Sequence, residues 1–458
     1  MPTKMIMKQF MEPRSVAIVG VSRQTGEGSN NILEHILSYG YKGKLYPVNP
    51  NATEILGMRT YASIVDISDP IDLVVIATPR SQVPDVAKKC ADKGVRCASI
   101  VAQGFADASD DEGRKLQKEI DAIVRNSQLR ILGPNTFGTA NAFCNFSSSY
   151  VKVRMKKHPI AIICQTGVFF VGFPELNFLG KGIDLGDARD IDFADGLEYF
   201  EDDAQINVIA LHIEGIRDSK RFIDIAKRIT KNKPIVALKT GKSEQAARAA
   251  QSHTGSMIGK SEIWDAAFKQ AGVIRTVDLG ELIDLTRIFA IFKSMKTPKV
   301  GVATVSGGLG IAAIDACQQA RVNIDKLSPQ TQKALDPLFP SFLHASNPVD
   351  IWPVMIDYKP PTKPLIFCLD TLLSDPELGA VLFLCPIFDE AWLNEYSEVL
   401  NGVAERYPGK PFVCALWGPY GDVAIKRLQD QGRIVAFPTP ERAIKALSRL
   451  AEYSQQRI

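Results

Sequence analysis

The chain has 458 residues, of which 45% are hydrophobic, so it can bury the cores of about three domains of roughly 150 residues each. Its 54 Lys and Arg residues nearly balance 51 Asp and Glu residues, which predicts neither nucleic acid nor an anionic membrane as a partner. Residues 1–14 carry charges and lack the apolar core of a secretory signal, and no apolar stretch approaches the ~20 residues that cross a bilayer. We therefore expect a cytoplasmic protein.

Short apolar segments alternate with longer amphipathic segments along the whole chain, which predicts an α/β fold with parallel sheets covered by helices. The predicted strands of the first series are Ser15–Val19, Lys44–Val48, Leu73–Ala77, Cys97–Val101 and Arg130–Leu132. Those of the second are Ile160–Cys164, Gly182–Leu185, Val208–Ile213 and Pro234–Lys239. Those of the third are Lys299–Val305, Ala380–Cys385, Pro411–Leu416 and Ile434–Phe437. Polar stretches separate the series, so we predict domains at 1–150, 151–296 and 297–458, the first of them Rossmann-like.

The first predicted strand runs into Gly20–Asn30, a turn of small residues that precedes a helix-like segment. Small residues let the backbone approach a phosphate, and the amides at a helix N-terminus attract one, so a nucleotide-like ligand is expected. The spacing is not G-x-G-x-x-G, and the second strand ends in Val48-Asn49-Pro50 without the acid that binds an NAD ribose. This argues against an NAD-linked oxidoreductase, which stays open as an alternative.

Three more loops follow strands of the same series: Ala77–Pro79, Gln103–Phe105 and Gly133–Asn135. Ligands of open α/β sheets bind at the carboxyl ends of the strands, so these loops are candidates for the same site. Lys44, at the start of the second strand, is either a ligand or a solvated charge at the sheet edge.

His253 lies among small polar residues and glycines in Gln251–Gly259, which indicates an accessible loop. Imidazole titrates near neutrality, so a neutral ring nitrogen can attack phosphorus. A surface histidine in a connecting loop is the alternative. Thr240–Ser243 imitates the end of a P-loop, but the earlier glycine would have to stand where Val236 does, so this is no Walker A motif.

Two strands end in small polar residues before a probable helix, which is a pattern that can hold a transferable phosphoryl group. The predicted phosphate-binding residues are Gln165, Thr166, Gly167, Ser306, Gly307 and Gly308.

Together these segments resemble the NDP-forming acyl-CoA synthetases and, more distantly, succinyl-CoA synthetase. The resemblance is carried by Val19–Ser22, Tyr41–Lys44, Tyr46–Pro50, Gly104–Ala106, Gly133–Asn135, Leu238–Gly259, Ala266–Phe268 and Gln270–Arg275. It covers almost the whole chain. It implies a Rossmann-like CoA-binding domain followed by two flavodoxin-like, succinyl-CoA synthetase-like α/β domains.

The resemblance also implies roles for single residues. His253 is implied to be phosphorylated, with Glu214 as the carboxylate that fixes its tautomer, unless Glu214 is only a surface loop acid. The residues implied to hold CoA are Gly20, Ser22, Gly26, Lys44, Asn49, Pro50, Ala77, Thr78, Pro79, Gln103, Gly104, Phe105 and Asn135.

The chain departs from the family's pattern at five positions. Thr136 stands where the family often has Cys, Cys164 replaces a Ser, and Thr166 replaces a Ser but keeps the hydroxyl. Phe169 and Phe170 are bulkier than the small residues expected there, which predicts an altered acyl pocket.

The implied reaction turns acyl-CoA and phosphate into acyl phosphate and CoA, after which His253 passes the phosphoryl group to ADP or GDP. No nucleotide-grasping segment follows the third series, so we expect a separate ATP-grasp β subunit, in an α2β2 assembly, to hold ADP or ATP with Mg²⁺. The carboxylic acid is not specified by the sequence, and no metal ligands are expected in this chain. The alternative is a non-catalytic CoA-binding sensor or scaffold with the same fold.

Overall fold

The computed structural model of the protein describes residues 2–171, 179–241, 243, 246 and 261–457. The chain divides into two compact units, Met1–Leu282 and Ile283–Ile458. Within the described residues, the first unit holds a five-stranded and a seven-stranded sheet with a separate two-stranded ribbon, and the second unit holds one five-stranded sheet.

The strands of the first unit are β1 (Ser15–Val19), β2 (Lys44–Val48), β3 (Glu54–Ile55), β4 (Met58–Arg59), β5 (Leu73–Ile76), β6 (Cys97–Ile100), β7 (Arg130–Leu132), β8 (Thr139–Asn141), β9 (Phe146–Ser147), β10 (Ile160–Cys164), β11 (Lys181–Asp184), β12 (Val208–Ile213), β13 (Ile235–Lys239) and β14 (Ile274–Thr276). Its helices are α1 (Thr3–Met11), α2 (Ile32–Ser38), α3 (Val83–Asp92), α4 (Asp111–Asn126), α5 (Val168–Val171), α6 (Phe193–Phe200), α7 (Ser219–Ile229) and α8 (Ser261–Ala271).

The first sheet has the order β2-β1-β5-β6-β7, and all of its neighbours are parallel. Helices cover both faces of such a sheet, which explains why its strands read as continuous apolar runs rather than as alternating patterns. The central strands β1, β5 and β6 are buried along their whole length. Every predicted strand of the first series is present, with ends that differ by at most one residue.

The second sheet has the order β14-β13-β12-β10-β11-β8-β9. It is parallel from β14 to β11, and β8 then pairs antiparallel with both β11 and β9. Strands β8 and β9 precede residue 151, where the sequence predicted the second domain to begin. Helix α1 also reaches this sheet, because the Thr139 hydroxyl donates to the Phe10 carbonyl at 2.7 Å.

The second unit is a parallel sheet of the order β16-β15-β17-β18-β19. Its strands are β15 (Val300–Thr304), β16 (Val349–Asp350), β17 (Ala380–Pro386), β18 (Phe412–Trp417) and β19 (Val435–Phe437). Its helices are α9 (Leu279–Ile291), which begins before the division between the units, α10 (Gly307–Gln319), α11 (Pro329–Leu335), α12 (Trp352–Met355), α13 (Thr362–Ser374), α14 (Glu390–Arg406), α15 (Gly421–Gln431) and α16 (Pro440–Gln455). The α/β class with parallel sheets is as predicted.

Candidate active site

The loops after β1 and β5 cross closely at the carboxyl edge of the first sheet. Gly20 has φ +86°, and a Cβ placed on it would lie 2.7 Å from the Ala77 carbonyl oxygen. Only glycine fits both the left-handed conformation and this approach. The structure therefore brings together the loops that contain Gly20, Ala77, Thr78 and Pro79. The Thr78 hydroxyl is buried and has no hydrogen-bond partner among the described residues.

Asn49 joins the loop after β2 to the loop after β1. Its Nδ2 donates to the Val21 carbonyl at 2.9 Å, and its Oδ1 accepts from the Asn51 amide at 2.8 Å. Pro50 is exposed beside it. Asn49 thus shapes the edge through hydrogen bonds within the protein.

The rest of the first Gly-rich turn is organised by Asn31, which the sequence analysis did not single out. Asn31 is buried, caps α2, and donates to the carbonyls of Ser22 and Gln24 at 2.9 and 3.0 Å. The Gly26 amide donates to the Glu34 carboxylate at 3.0 Å, and hydrogen bonds from Ser29 and Gly26 hold the pKa of that carboxyl below its usual value. The amide of Gly26 is therefore already paired with an acid of α2.

The loop after β6 is held by its own acid and by Arg80. The amides of Gly104 and Phe105 donate to the Asp107 carboxylate at 3.1 and 2.6 Å. Arg80 donates to the Gly104 carbonyl at 2.9 Å and pairs with Asp110 at 2.8 Å. These contacts fix the path of the loop and leave Gln103 exposed at its start.

Two predicted CoA ligands stand apart from this edge. The Phe105 side chain is fully buried in the core, so only its backbone can face a ligand. Lys44 is the first residue of β2, whereas the loops follow the last residues of the strands, about 13 Å away at ~3.3 Å per residue. It forms an exposed ion pair there with Asp69 at 2.8 Å.

Asn135 follows β7 in a left-handed conformation with φ +58°, and its amide donates to the Ala102 carbonyl at 3.0 Å. The next residue, Thr136, is buried and its hydroxyl donates to the Asp184 carbonyl. The Thr136 side chain is therefore hydrogen-bonded to β11 of the second sheet and does not face the ligand edge.

At the carboxyl edge of the second sheet, one buried side chain holds two loops together. Gln165 follows β10, and its Oε1 accepts hydrogen bonds from the amides of Glu214 and Gly215 at 2.8 and 2.9 Å. Gln165 is 3% exposed and Glu214 is 8% exposed. The Gln165 Nε2 is buried and has no partner among the described residues. Gln165 thus clamps the end of β10 to the loop that carries Glu214. Its side-chain nitrogen stays available as a hydrogen-bond donor.

The residues after Gln165 turn tightly into α5. A Cβ on Gly167 would lie 2.5 Å from the Phe137 ring, so this position needs glycine. Thr166 is half-buried, and its carbonyl accepts from the Phe169 amide at 3.1 Å.

The bulky residues of this segment are packed inside the unit. The Phe169 ring stacks on the His212 ring with centroids 4.2 Å apart, and the Phe170 ring packs against Gly182 of β11. The Cys164 thiol is fully buried, which raises its pKa well above the usual range. His212 is buried on β12, and its Nε2 lies 3.3 Å from the Thr240 hydroxyl.

In the second unit, Ser306 follows β15 and precedes α10. Its amide donates to the Thr304 hydroxyl at 3.0 Å, while a Cβ on Gly308 would meet no atom within 4 Å. The Asp350 carboxylate flanks the other glycine, because a Cβ on Gly307 would lie 3.0 Å from its Oδ2. The open backbone at this helix N-terminus is therefore centred on Gly308.

His253 lies outside the described residues. Among the residues that are described, no three His, Cys, Asp or Glu side chains are grouped as metal ligands. No helix in the described part of the chain is both long and apolar enough to span a membrane.

Two segments match known domain families. Residues 14–142 match the CoA binding domain, and residues 157–289 match the succinyl-CoA ligase like flavodoxin domain. These matches define the chain as a CoA-binding protein of the succinyl-CoA ligase-like class.

Full-length relatives define the family more closely. The chain is 34% identical over 465 residues to the alpha subunit of ADP-forming acetate–CoA ligase I of Pyrococcus furiosus, with 98% of each chain covered. It is 34% identical over 459 residues to the ADP-forming acetate–CoA ligase of Methanocaldococcus jannaschii, of which it spans 64%. Its structure is similar to that of the dinucleotide forming acetyl-coenzyme A synthetase 1 of Ca. Korarchaeum cryptofilum in complex with phosphate and ADP, with a TM-score of 0.88, 29% identity and coverage of 98% and 97%. The chain belongs to the family of ADP-forming acyl-CoA ligases, and in extent it corresponds to an alpha subunit.

Proposed function

We propose that this chain is the alpha-type subunit of an NDP-forming acyl-CoA synthetase. The reaction converts acyl-CoA, phosphate and ADP reversibly into a carboxylic acid, CoA and ATP. The observation that carries the proposal is the hydrogen bond from the Glu214 backbone amide to Gln165, because it joins the predicted phosphate loop to the residue whose carboxylate is predicted to serve the phosphohistidine.

Coenzyme A is proposed to bind at the carboxyl edge of the first sheet. The crossing of the Gly20 and Ala77 loops leaves backbone close to the ligand edge, and the unpaired Thr78 hydroxyl is a ready hydrogen-bonding group. Gly104 and Asn135 follow neighbouring strands at the same edge. Lys44 is not part of this proposed site.

The chemistry is proposed to run in three balanced steps. Phosphate attacks the thioester carbonyl, a C–O bond forms, the C–S bond breaks, and CoA leaves as the thiolate. An imidazole nitrogen of His253 then attacks the phosphorus of the acyl phosphate, and the P–O bond breaks to release the carboxylate. The phosphoryl group finally moves from nitrogen to the terminal oxygen of ADP, which restores the free imidazole.

The chain's own groups would act on the second step. Glu214 accepts a hydrogen bond from one imidazole nitrogen, so the other nitrogen carries the lone pair. The Nε2 of Gln165 and the backbone around Thr166 and Gly167 donate to the phosphoryl oxygens. The second unit, taken by itself, has a further candidate phosphate site at Gly308, an open helix N-terminus where the dipole of α10 favours an anion.

The ADP site and its Mg²⁺ are proposed to lie on an ATP-grasp β subunit in an α2β2 assembly. Relatives of the same extent are named alpha subunits, and other relatives are longer than this chain. Acetate is the acid to test first, since the relatives carry its name.

The test measures the thiol of free CoA released from acetyl-CoA in the presence of phosphate. The purified chain is assayed alone and then with ADP, Mg²⁺ and a co-expressed ATP-grasp partner. We expect ATP in amounts equal to the CoA released, and only with the partner. CoA binding without phosphate-dependent thiol release would favour a scaffold, and acyl-CoA synthesis from ATP by the chain alone would rule out the β subunit.

A further inference from the structure

A basic cleft lies in the first unit, in front of the strands of the second sheet. Its volume is about 790 Å³, and its lining includes Lys152, Arg154, Lys156 and Lys157. No acidic residue of the described chain is among the residues that line it. A concave surface with one sign of charge raises the local concentration of ions of the opposite sign. The basic cleft is therefore suited to an anion.

The basic cleft and the predicted phosphate loop lie at opposite ends of β10. Residues 152–157 precede Ile160, the first residue of β10, whereas Gln165 follows the last. Met155, which lines the cleft, forms a bridge with Leu179, and Leu179 likewise precedes its strand, β11. The five residues of β10 span about 16 Å at ~3.3 Å per residue. An anion in the basic cleft is therefore remote from the predicted phosphate loop.

The backbone on both sides of Arg154 is fixed by hydrogen bonds. The Val153 amide donates to the Tyr39 hydroxyl at 2.7 Å, and that hydroxyl donates to the Val153 carbonyl at 3.0 Å. The Lys156 amide donates to the Leu179 carbonyl at 3.2 Å. Because the path of the segment is set before a ligand arrives, binding does not have to order this backbone.

The side chains of this segment alternate between the interior and the solvent. Val153 is buried and Met155 is half-buried, whereas Lys152, Arg154 and Lys156 are exposed. In an extended segment, side chains two residues apart lie on the same side, about 6.6 Å from each other. The three exposed cations therefore form a row. A single phosphate reaches one or two members of such a row, whereas a chain of phosphates extends along it.

The chemistry of the row favours phosphate oxygens as its partners. An arginine guanidinium donates several N–H groups to a phosphate, and a lysine ammonium binds one as a point charge. Within the described part of the chain, Lys152 and Arg154 form no ion pair with an acid, so their charges are available to a ligand. The whole chain has a net charge of only +3, which does not favour a long nucleic acid polymer.

We propose that the basic cleft binds a small ligand that carries a chain of two or more phosphate groups. Inorganic tripolyphosphate and a nucleoside triphosphate share this chemistry. The ligand is held by charge and hydrogen bonds alone, and no covalent bond forms or breaks. The site does not depend on the proposed function, because it lies at the other end of β10 from Gln165.

The test is calorimetric titration of the full-length chain with tripolyphosphate at low ionic strength. Lys152→Gln and Arg154→Gln should each weaken binding roughly five- to tenfold, as for loss of one charged group at an exposed site. The double variant should lose this binding. Arg125→Gln is the matched control, since Arg125 is also exposed and forms no ion pair within the described part of the first unit. It should bind tripolyphosphate as the wild type does.

A second titration identifies the source of the phosphates. If ATP binds more tightly than tripolyphosphate, and the double variant loses the difference, the ligand is a nucleotide; equal affinities indicate the phosphate chain alone. Wild-type affinity for tripolyphosphate in the double variant would overturn the proposal, as would an equal loss in Arg125→Gln. Tighter binding of a single-stranded oligonucleotide that depends on Lys152 and Arg154 would also overturn it, because the ligand would then be a polymer.

Discussion

The side chain of Gln165 accepts a hydrogen bond from the backbone amide of Glu214 at 2.8 Å. The same oxygen accepts from the Gly215 amide at 2.9 Å, so two buried donors depend on one side chain. The geometry ties the end of β10 to the end of β12, its parallel neighbour in the sheet. Gln165 was predicted from the sequence to bind phosphate. Its hydrogen bonds also fix the position of Glu214, the proposed catalytic carboxylate.

Gln165→Leu should destabilise the first unit and abolish phosphoryl transfer. It leaves two buried amides unpaired, which costs about 2–5 kcal/mol of unfolding free energy, and it frees the Glu214 loop. Urea unfolding and labelling from acetyl phosphate measure the two effects.

Gln429→Leu is the control for that variant, because Gln429 is also buried but bonds the Ala436 carbonyl in the second unit at 3.0 Å. It should lose stability and still take the label. Normal labelling in Gln165→Leu would contradict the positioning role of the clamp.

Gly308→Ala should weaken phosphate binding without harming the fold. A Cβ at this position meets no protein atom, and alanine favours a helix over glycine by up to about 1 kcal/mol. The added methyl group would occupy the space proposed for a phosphate oxygen. We expect the phosphate concentration that gives half-maximal CoA release to rise about tenfold, which corresponds to about 1.4 kcal/mol of binding free energy.

Gly402→Ala is the matched change, since Gly402 lies within α14 and is equally open. Gly402→Ala should raise the free energy of unfolding and leave phosphate-dependent CoA release unchanged. If the two alanine variants had the same phosphate dependence, the helix N-terminus at Gly308 would not bind phosphate.

Asn49→Ala should weaken CoA binding on the order of tenfold, because two hydrogen bonds of roughly 0.5–1.5 kcal/mol each shape the loops at the ligand edge. Lys44→Ala should change the affinity by no more than about twofold, since an exposed ion pair contributes little. Calorimetric titration with CoA gives both values. A large loss in Lys44→Ala would restore that residue to the site and contradict the placement derived from the structure.

Asp184 should make the stability of the chain depend on pH in the acid range. Burial raises the pKa of Asp184 to about 6 from an ordinary value of 3.8. Between those values the folded chain binds the proton more tightly than the unfolded chain, so the contribution of this group to stability falls as pH rises. The full penalty, on the order of 3 kcal/mol, is present above about pH 6.

Asp184→Asn stays neutral and can still accept from the Phe137 amide, which Asp184 does at 2.7 Å. Its stability relative to wild type should therefore increase as pH is raised from about 4 to about 7. Denaturant unfolding across that range measures the difference. A difference that does not vary with pH would show that the pKa of this carboxyl is not raised in the folded chain.

Most of the parallel strands could be predicted from the sequence because strands buried on both faces are continuous apolar runs, but the short parallel edge strands β14 and β16 were not predicted. Strands β8 and β9 could not be predicted, since they have three and two residues and the pairing of β8 with β11, like that of β9 with β8, depends on the tertiary fold. The glycine loops were found through their composition.

The supporting residues of the candidate site were missed for the same reason as the short strands. Asn31 and Arg80 act through hydrogen bonds to carbonyls of the loops, and an isolated Asn or Arg gives no pattern to detect. Phe105 shows the converse case, because its loop lies at the ligand edge while its side chain is part of the core.

The most direct test of the account is to locate the phosphoryl group after the chain reacts with acetyl phosphate. We expect a label that is lost in acid and stable in base, on the peptide that contains His253. The label should be absent from His253→Ala and strongly reduced in Glu214→Gln, while both variants still bind CoA. A label retained in His253→Ala, or found on a carboxylate or a hydroxyl, would contradict the central claim.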